Sequence, residues 1–134
     1  MSKPLVDRID HFVLTVASIE ATSAFYQKAL GLQTVTFAGG RTALSFGEQK
    51  INLHQQGAEF VPHARTIAPG SGDFCLTTTV PLDRIIAHLG AAGVVIEQGP
   101  VPKTGARARL TSVYFRDPDG NLVEVSNETA PADG

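Results

Sequence analysis

The chain has 134 residues, 43% of them hydrophobic, and a net charge of −2, which suits one ordinary domain with a real core and is too little for two. Basic and acidic residues are interspersed, so no basic run or stripe points to nucleic acid. No apolar run reaches the ~18 residues of a membrane helix, MSKPLVDRID lacks a signal-peptide core, and the single cysteine, Cys75, excludes an intrachain disulfide, so a cytoplasmic location is expected.

The first predicted element is a strand over Asp10–Val16. Ser18 reads as the N-cap of a helix over Ile19–Leu30, with Gly31 as its C′ residue and Thr22, Phe25, Tyr26, Ala29 and Leu30 facing inward. Three short strands follow, near Leu32–Phe37, Thr42–Phe46 and Lys50–Gln55, separated by turns at Gly39-Gly40 and Gly47-Glu48. Residues 56–72 read as a connection without periodic apolar positions. A strand over Asp73–Thr79 comes next, then a helix with Pro81 in its first turn, Leu82, Ile85, Ile86 and Leu89 as its stripe, and Gly93 as its stop. Val94–Glu97, Leu110–Phe115 and Leu122–Ser126 are the last predicted strands, and the polar ETAPADG tail is expected to fray.

The order is β-α-β-β-β, twice. His11 precedes Gly31 by 20 residues and Asp73 precedes Gly93 by 20, so the halves match in length and Asp73 holds in the second the place of His11 in the first. A repeat of this kind means two units, each with a sheet face it cannot bury alone. The expected class is α+β: two βαβββ modules forming a cupped mixed sheet in a single domain, with module one at 8–55, a linker at 56–71 and module two at 72–127.

Three residues stand out as ligand types on strands. His11 shares a strand face with Ile9 and Val13. His54 shares a face with Asn52, opposite Ile51 and Leu53. Glu124 is a lone carboxylate inside the β-forming run LVEVS, where burial without a partner is costly. Two imidazoles and a carboxylate commonly hold a divalent metal with positions left open, so His11, His54 and Glu124 are the expected metal ligands. Arg107 and Arg109, with Lys103, enter a strand from a glycine-containing loop and suit an anionic substrate; Tyr114, which shares a face with Ser112 and Arg116, can face the same space. His63 and Arg65 lie on the connection. DPDGN, Asp117–Asn121, reads as a turn rather than as chemistry. Cys75, in FCLTTT, reads as a buried structural thiol.

The pieces IDHFVLTV, AFYQKALGL and YFRDPDGNLVEVS resemble the glyoxalase/bleomycin-resistance/dioxygenase superfamily, the vicinal-oxygen-chelate fold, from about Ile9 to Ser126. GRTALSFGEQKINLH and EQGPVPKTGARARLTSVYFRDPDGNLVEVS are similar to members described only as glyoxalase-domain-containing proteins. The resemblance implies metal ligands on the first and last strands of each module. His11 matches the first opening ligand and Glu124 the second closing ligand. Asp73 stands where many members have His, and is implied as a further ligand, an orienter of a ligand or a base. Asn52 or His54 matches the remaining position, with His54 preferred because imidazole is the better ligand. The implied activity is a metal-dependent lyase or isomerase using Zn, Ni, Mn, Fe or Co on a small substrate with vicinal oxygens, with Glu124 or Asp73 moving the proton. The alternatives are an Fe(II) ring-cleaving dioxygenase and a non-catalytic, antibiotic-sequestering binding protein. A homodimer is expected in each case.

Overall fold

A computed structural model describes residues 3–131. The first half contains β1 (His11–Val16), α1 (Ile19–Leu30), β2 (Gln33–Phe37), β3 (Arg41–Phe46) and β4 (Gln49–Gln55); the second contains β5 (Asp73–Thr77), α2 (Leu82–Ala91), β6 (Gln98–Thr104), β7 (Ala108–Arg116) and β8 (Leu122–Pro131). Sheet A has the order β1-β4-β3-β2 and sheet B the order β5-β8-β7-β6. In each half the first and last strands pair in parallel, and the remaining pairs are antiparallel. The two βαβββ modules and their mixed sheets are thus present as expected, with His11 and Asp73 each opening its strand.

Local chemistry accounts for the helix ends. The Ser18 hydroxyl accepts from the Ala21 N–H at 3.1 Å, and Gly31, at φ 71°, closes α1 in the left-handed region. Helix α2 has no side-chain cap from Pro81. Its first N–H, that of Leu82, instead donates to Asn127 Oδ1 on β8 at 2.8 Å, a cap supplied from 45 residues away.

Alternation then sorts the strands into two faces. Leu14, Val16, Leu44, Ile51 and Leu53 of sheet A, and Val113, Phe115, Val123 and Val125 of sheet B, lie buried with Tyr26, Ala29 and Leu89 in one core. The helices touch each other, and Phe25 of α1 packs against Phe115 of β7, ring centroids 6.1 Å apart. The opposite face of each sheet carries no helix.

Three expectations are corrected. Val94–Glu97 is irregular, and the strand falls at Gln98–Thr104, in a segment expected to be loop. Its two prolines are tolerated because β6 is an edge strand with one side free of ladder bonds. The tail does not fray at Glu128: β8 continues to Pro131, with Glu128, Ala130 and Pro131 paired to Leu110, Arg109 and Ala108. Residues 132–134 lie outside the described residues. Strand β5 stops at Thr77, two residues early.

The DPDGN turn joins the modules. Tyr26 Oη donates to Asp117 Oδ2 at 2.7 Å. Asn121 Nδ2 donates to the same oxygen at 2.8 Å, and the N–H groups of Asp119 and Asn121 donate to Asp117 Oδ1 at 2.9 and 3.0 Å. Asn121 Oδ1 accepts the Gly72 N–H at 2.6 Å, and the Asp119 carboxylate accepts the Ala17 N–H at 3.3 Å. Gly70, at φ +88°, is required here, since a Cβ would collide with the Asp119 carbonyl. Replacing Tyr26 by Phe deprives buried Asp117 of a donor, and we expect a loss of ~1–3 kcal/mol, read as a lower urea midpoint with an unchanged slope.

Candidate functional site

On β8, Val123 and Val125 enter the core, so Glu124 and Ser126 must project from the helix-free face of sheet B. Register places Cys75 of β5 and Tyr114 of β7 on either side of Glu124, and Ser112 of β7 opposite Ser126. Ser112 Oγ donates to Glu124 Oε2 at 2.6 Å. The Ser126 hydroxyl lies 2.6 Å from Ser112 Oγ and 3.3 Å from the same carboxylate oxygen. Both serines therefore act on Oε2. Cys75 Sγ lies 3.3 Å from Ser126 Oγ.

Cys75, Tyr114 and Glu124 of this patch line a cavity of about 600 Å³, together with Thr77, Lys103 and Glu128, while Ser112 and Ser126 lie buried beneath them. The Tyr114 phenol is pushed up to about 12, first by loss of solvent, then by the charge and hydrogen bonding of Glu124. Burial likewise raises the Cys75 thiol, against a lowering bond from Ser126, so Cys75 is a neutral thiol near pH 7. It is exposed on this face, not the buried structural thiol expected from its apolar neighbours.

The helix-free face of sheet A carries His11, Lys50, Asn52 and His54. His11 Nδ1 lies 2.8 Å from Asp10 Oδ1, and this contact, the largest effect on Asp10, holds its carboxyl below its usual range. A carboxylate on one ring nitrogen fixes the tautomer and aims the other, Nε2, outward. His11 stands opposite Lys50, whereas His54 stands opposite Thr15, four residues along. That is about 13 Å at strand rise, so His11 and His54 cannot share an ion within one chain. Asn52 faces Val13 as Glu124 faces Cys75, which makes Asn52, and not His54, the first-module counterpart of Glu124. This register corrects the preference for His54.

His54 is 6% exposed and sits under Phe60, ring centroids 5.7 Å apart. Burial first, then the positive charge of Arg41 and His63, pushes its pKa down, so it is neutral. The Nδ1 of His54 and the Oδ1 of Asn52 are buried without a hydrogen-bond partner.

The expected ligands are thus only partly gathered. His11 and Cys75 line one small cavity of about 240 Å³, while Cys75 and Glu124 line the larger one. Among the described residues of a single chain, no three His, Cys, Asp or Glu side chains are grouped to hold a metal ion. Asp73 is exposed at the start of β5, on the face of Glu124. Tyr114 lines the larger cavity, and Arg107 lies on it, tied to Glu128 by bonds of 2.7 and 2.8 Å. Arg109 is exposed on β7 and does not line it. Arg116 pairs with Glu97 at 3.0 Å, and His63 and Arg65 are exposed on the connection. Ser126, the Cys75 contact, Arg41 and Phe60 were not apparent as site residues, because only strand register brings them alongside the others.

The donor chemistry fits a divalent cation. Glu124 Oε1 is left open by both serines, His11 presents Nε2, Asp73 is an accessible carboxylate, and Asn52 Oδ1 is an orphaned acceptor.

Two βαβββ modules with parallel first-to-last strand pairing, and acid and imidazole side chains on the helix-free faces, define the class. Residues 8–125 match the Glyoxalase/Bleomycin resistance protein/Dioxygenase superfamily, and the chain belongs to it. Among individual proteins it is similar to the virulence protein STM3117 of Salmonella typhimurium, at 51% identity over 122 residues, 91% of this chain and 85% of that protein. The crystal structure of STM3117 superposes with a TM-score of 0.92 at 49% identity, covering 94% of this chain and 100% of that one. The glyoxalase domain-containing protein RDO1 of Mycosarcoma maydis is 44% identical over 122 residues, 91% of this chain and 69% of RDO1. Lactoylglutathione lyase from Agrobacterium tumefaciens shares 26% identity at a TM-score of 0.70, over 92% of this chain and 96% of its own. No helix among the described residues is long and apolar enough to cross a membrane.

Replacing Glu124 by Gln removes the charge beside Tyr114. The phenol is then expected to ionise below its present value of about 12, though above the ordinary ~10 because burial remains. The linkage sign follows: a proton held more tightly in the folded state stabilises it fully below about 10, and that contribution is lost as pH rises toward 12. Phenolate absorbance against pH, in wild type and variant, reads the shift; an identical Tyr114 midpoint in both would disprove the coupling.

Proposed function

We propose that the chain is a metal-dependent lyase or isomerase acting on a small substrate with vicinal oxygens. The observation that carries this reading is Glu124: one carboxylate oxygen is fixed by the Ser112 and Ser126 hydroxyls, and the residue lines a cavity of about 600 Å³ beside Tyr114. The likeness to lactoylglutathione lyase supports the reaction class.

The ion, one of Zn, Ni, Mn, Fe or Co, is held by Glu124 with His11, aided by Asp73 and Asn52. Since His11 and Glu124 are not grouped in one chain, the set is completed in a homodimer that places sheet A of one copy against sheet B of the other. Two features support that pairing. The helix-free face of sheet A exposes Val13 and Val35, 44% and 36% accessible, and on that of sheet B Asp73 and Cys75 are exposed. Asp73 and Glu124 on sheet B also offer carboxylates to His11, Lys50 and Arg41 on sheet A. The single cysteine fits a reducing cytoplasm.

When bound, such an ion supplies Lewis acidity to two neighbouring substrate oxygens. The chain's own residues divide the remaining work. Glu124, pinned through Oε2, is suited to hold a fixed position. Asp73, exposed at a strand start, is suited to take a proton from the substrate carbon and return it. The Tyr114 phenol keeps its proton through the neutral range and can donate to a developing oxyanion.

Elemental analysis of the purified protein is expected to find stoichiometric divalent metal, lost in both His11→Ala and Glu124→Ala while the circular dichroism spectrum is unchanged. Metal retained in both variants removes these residues from the site. Activity confined to Fe(II), with oxygen uptake, would replace the lyase reading by ring-cleaving oxygenation.

A further inference from the structure

The helix-free face of sheet A holds a second cluster, which begins at Lys50, opposite His11, and extends toward β2 and β3. Arg41 opens β3 beside Phe37 of β2, and its guanidinium carbon lies 4.5 Å from the centroid of Phe60, on the connection between the modules. Lys50 of β4 reaches across the sheet, its ammonium 3.7 Å from the centroid of Phe37. The two cations thus converge on the β2–β3 side of the face, over the small side chain of Ala43. Both are half-buried, and among the described residues neither forms an ion pair with a carboxylate.

Under Phe60 lie His54 and, next along the same face, Asn52, each with a buried polar atom that no protein group satisfies. The charges acting on His54 are those of Arg41, His63 and Glu59. Glu59 accepts the Gly57 N–H at 3.0 Å, so its carboxylate is engaged by its own turn and does not pair with Arg41. Half-buried cations without a carboxylate partner call for an anion, and the unmet Asn52 Oδ1, an acceptor, calls for a hydrogen-bond donor rather than an anionic oxygen.

The geometry points to an oxyanion subsite on sheet A, in which Arg41 and Lys50 hold a carboxylate of the substrate and His54 meets a neighbouring polar atom beneath Phe60. A guanidinium stacked on a ring keeps its N–H fork in plane, as a carboxylate requires. An anionic substrate therefore sits with its carboxylate toward Arg41 and its reacting oxygens toward Glu124. This orientation rests on the function proposed above; the cationic cradle itself is built by one chain. A phosphoryl group offers the same oxyanion chemistry.

The test is calorimetric titration of the whole chain, at constant ionic strength, with succinate, its neutral diamide and inorganic phosphate. Succinate is expected to bind at least tenfold more tightly than the diamide. Arg41→Gln and Lys50→Gln are each expected to weaken it at least tenfold, with Arg41→Lys recovering part of the loss. Treatment of the wild-type protein with a metal chelator is expected not to weaken it, which separates the cradle from coordination to an ion. Phosphate binding more tightly than succinate supports the subsite and assigns it to a phosphoryl group. Equal affinity for succinate and the diamide, no binding of either anion, or wild-type affinity in a folded Arg41→Gln/Lys50→Gln double variant overturns it. Loss of succinate binding in Arg41→Gln, with metal retained in His11→Ala and Glu124→Ala, keeps the subsite and rejects the lyase site; the converse rejects only the subsite.

Discussion

The fold depends on one buried carboxylate. Asp117 is 5% exposed and is satisfied by four donors: the phenol of Tyr26, the side-chain amide of Asn121, and two backbone N–H groups of its own turn. A buried anion short of partners is expensive, so the turn, helix α1 and the start of β5 are held in one arrangement. Tyr26 belongs to module one and Asp117 to module two. The bond between them therefore fixes how the modules sit, and with that the direction in which both helix-free faces open. It also pushes the Tyr26 phenol far up, through burial first and then the charge of Asp117.

That constraint lets the two halves diverge without losing the frame. The strand positions that carry Asp73 and Glu124 in module two carry His11 and Asn52 in module one. Glu124 has two serine hydroxyls on one of its oxygens, while Asn52 Oδ1 is unsatisfied beside His54. One face carries a carboxylate ringed by hydroxyls; the other carries cations stacked on aromatic rings. The same backbone unit, present twice, thus carries two surfaces of unlike chemistry.

Hydroxyl bonds to Glu124 and burial around Tyr114 act together on the site. Fixing Oε2 leaves Oε1 as the oxygen available for an ion or a proton, so preorganisation comes from residues that do not themselves react. The same logic applies to His11, where Asp10 engages one nitrogen and leaves the other.

The sequence by itself determined the repeat, helix α1 with both its ends, the alternation that puts Ile51 and Leu53 opposite Asn52 and His54, and the candidacy of His11 and Glu124. These depend on local period, capping and turn residues, which a chain displays without folding. Tertiary structure alone decided that Asn52 rather than His54 answers Glu124, that Ser126 joins Ser112 on one carboxylate, and that Asn127 caps a helix 45 residues earlier. Each of these is a matter of register between strands distant in the chain. A shift of two residues keeps the face and the pattern unchanged, so composition cannot reveal it, while on the sheet it moves a side chain by about 7 Å and changes its partners.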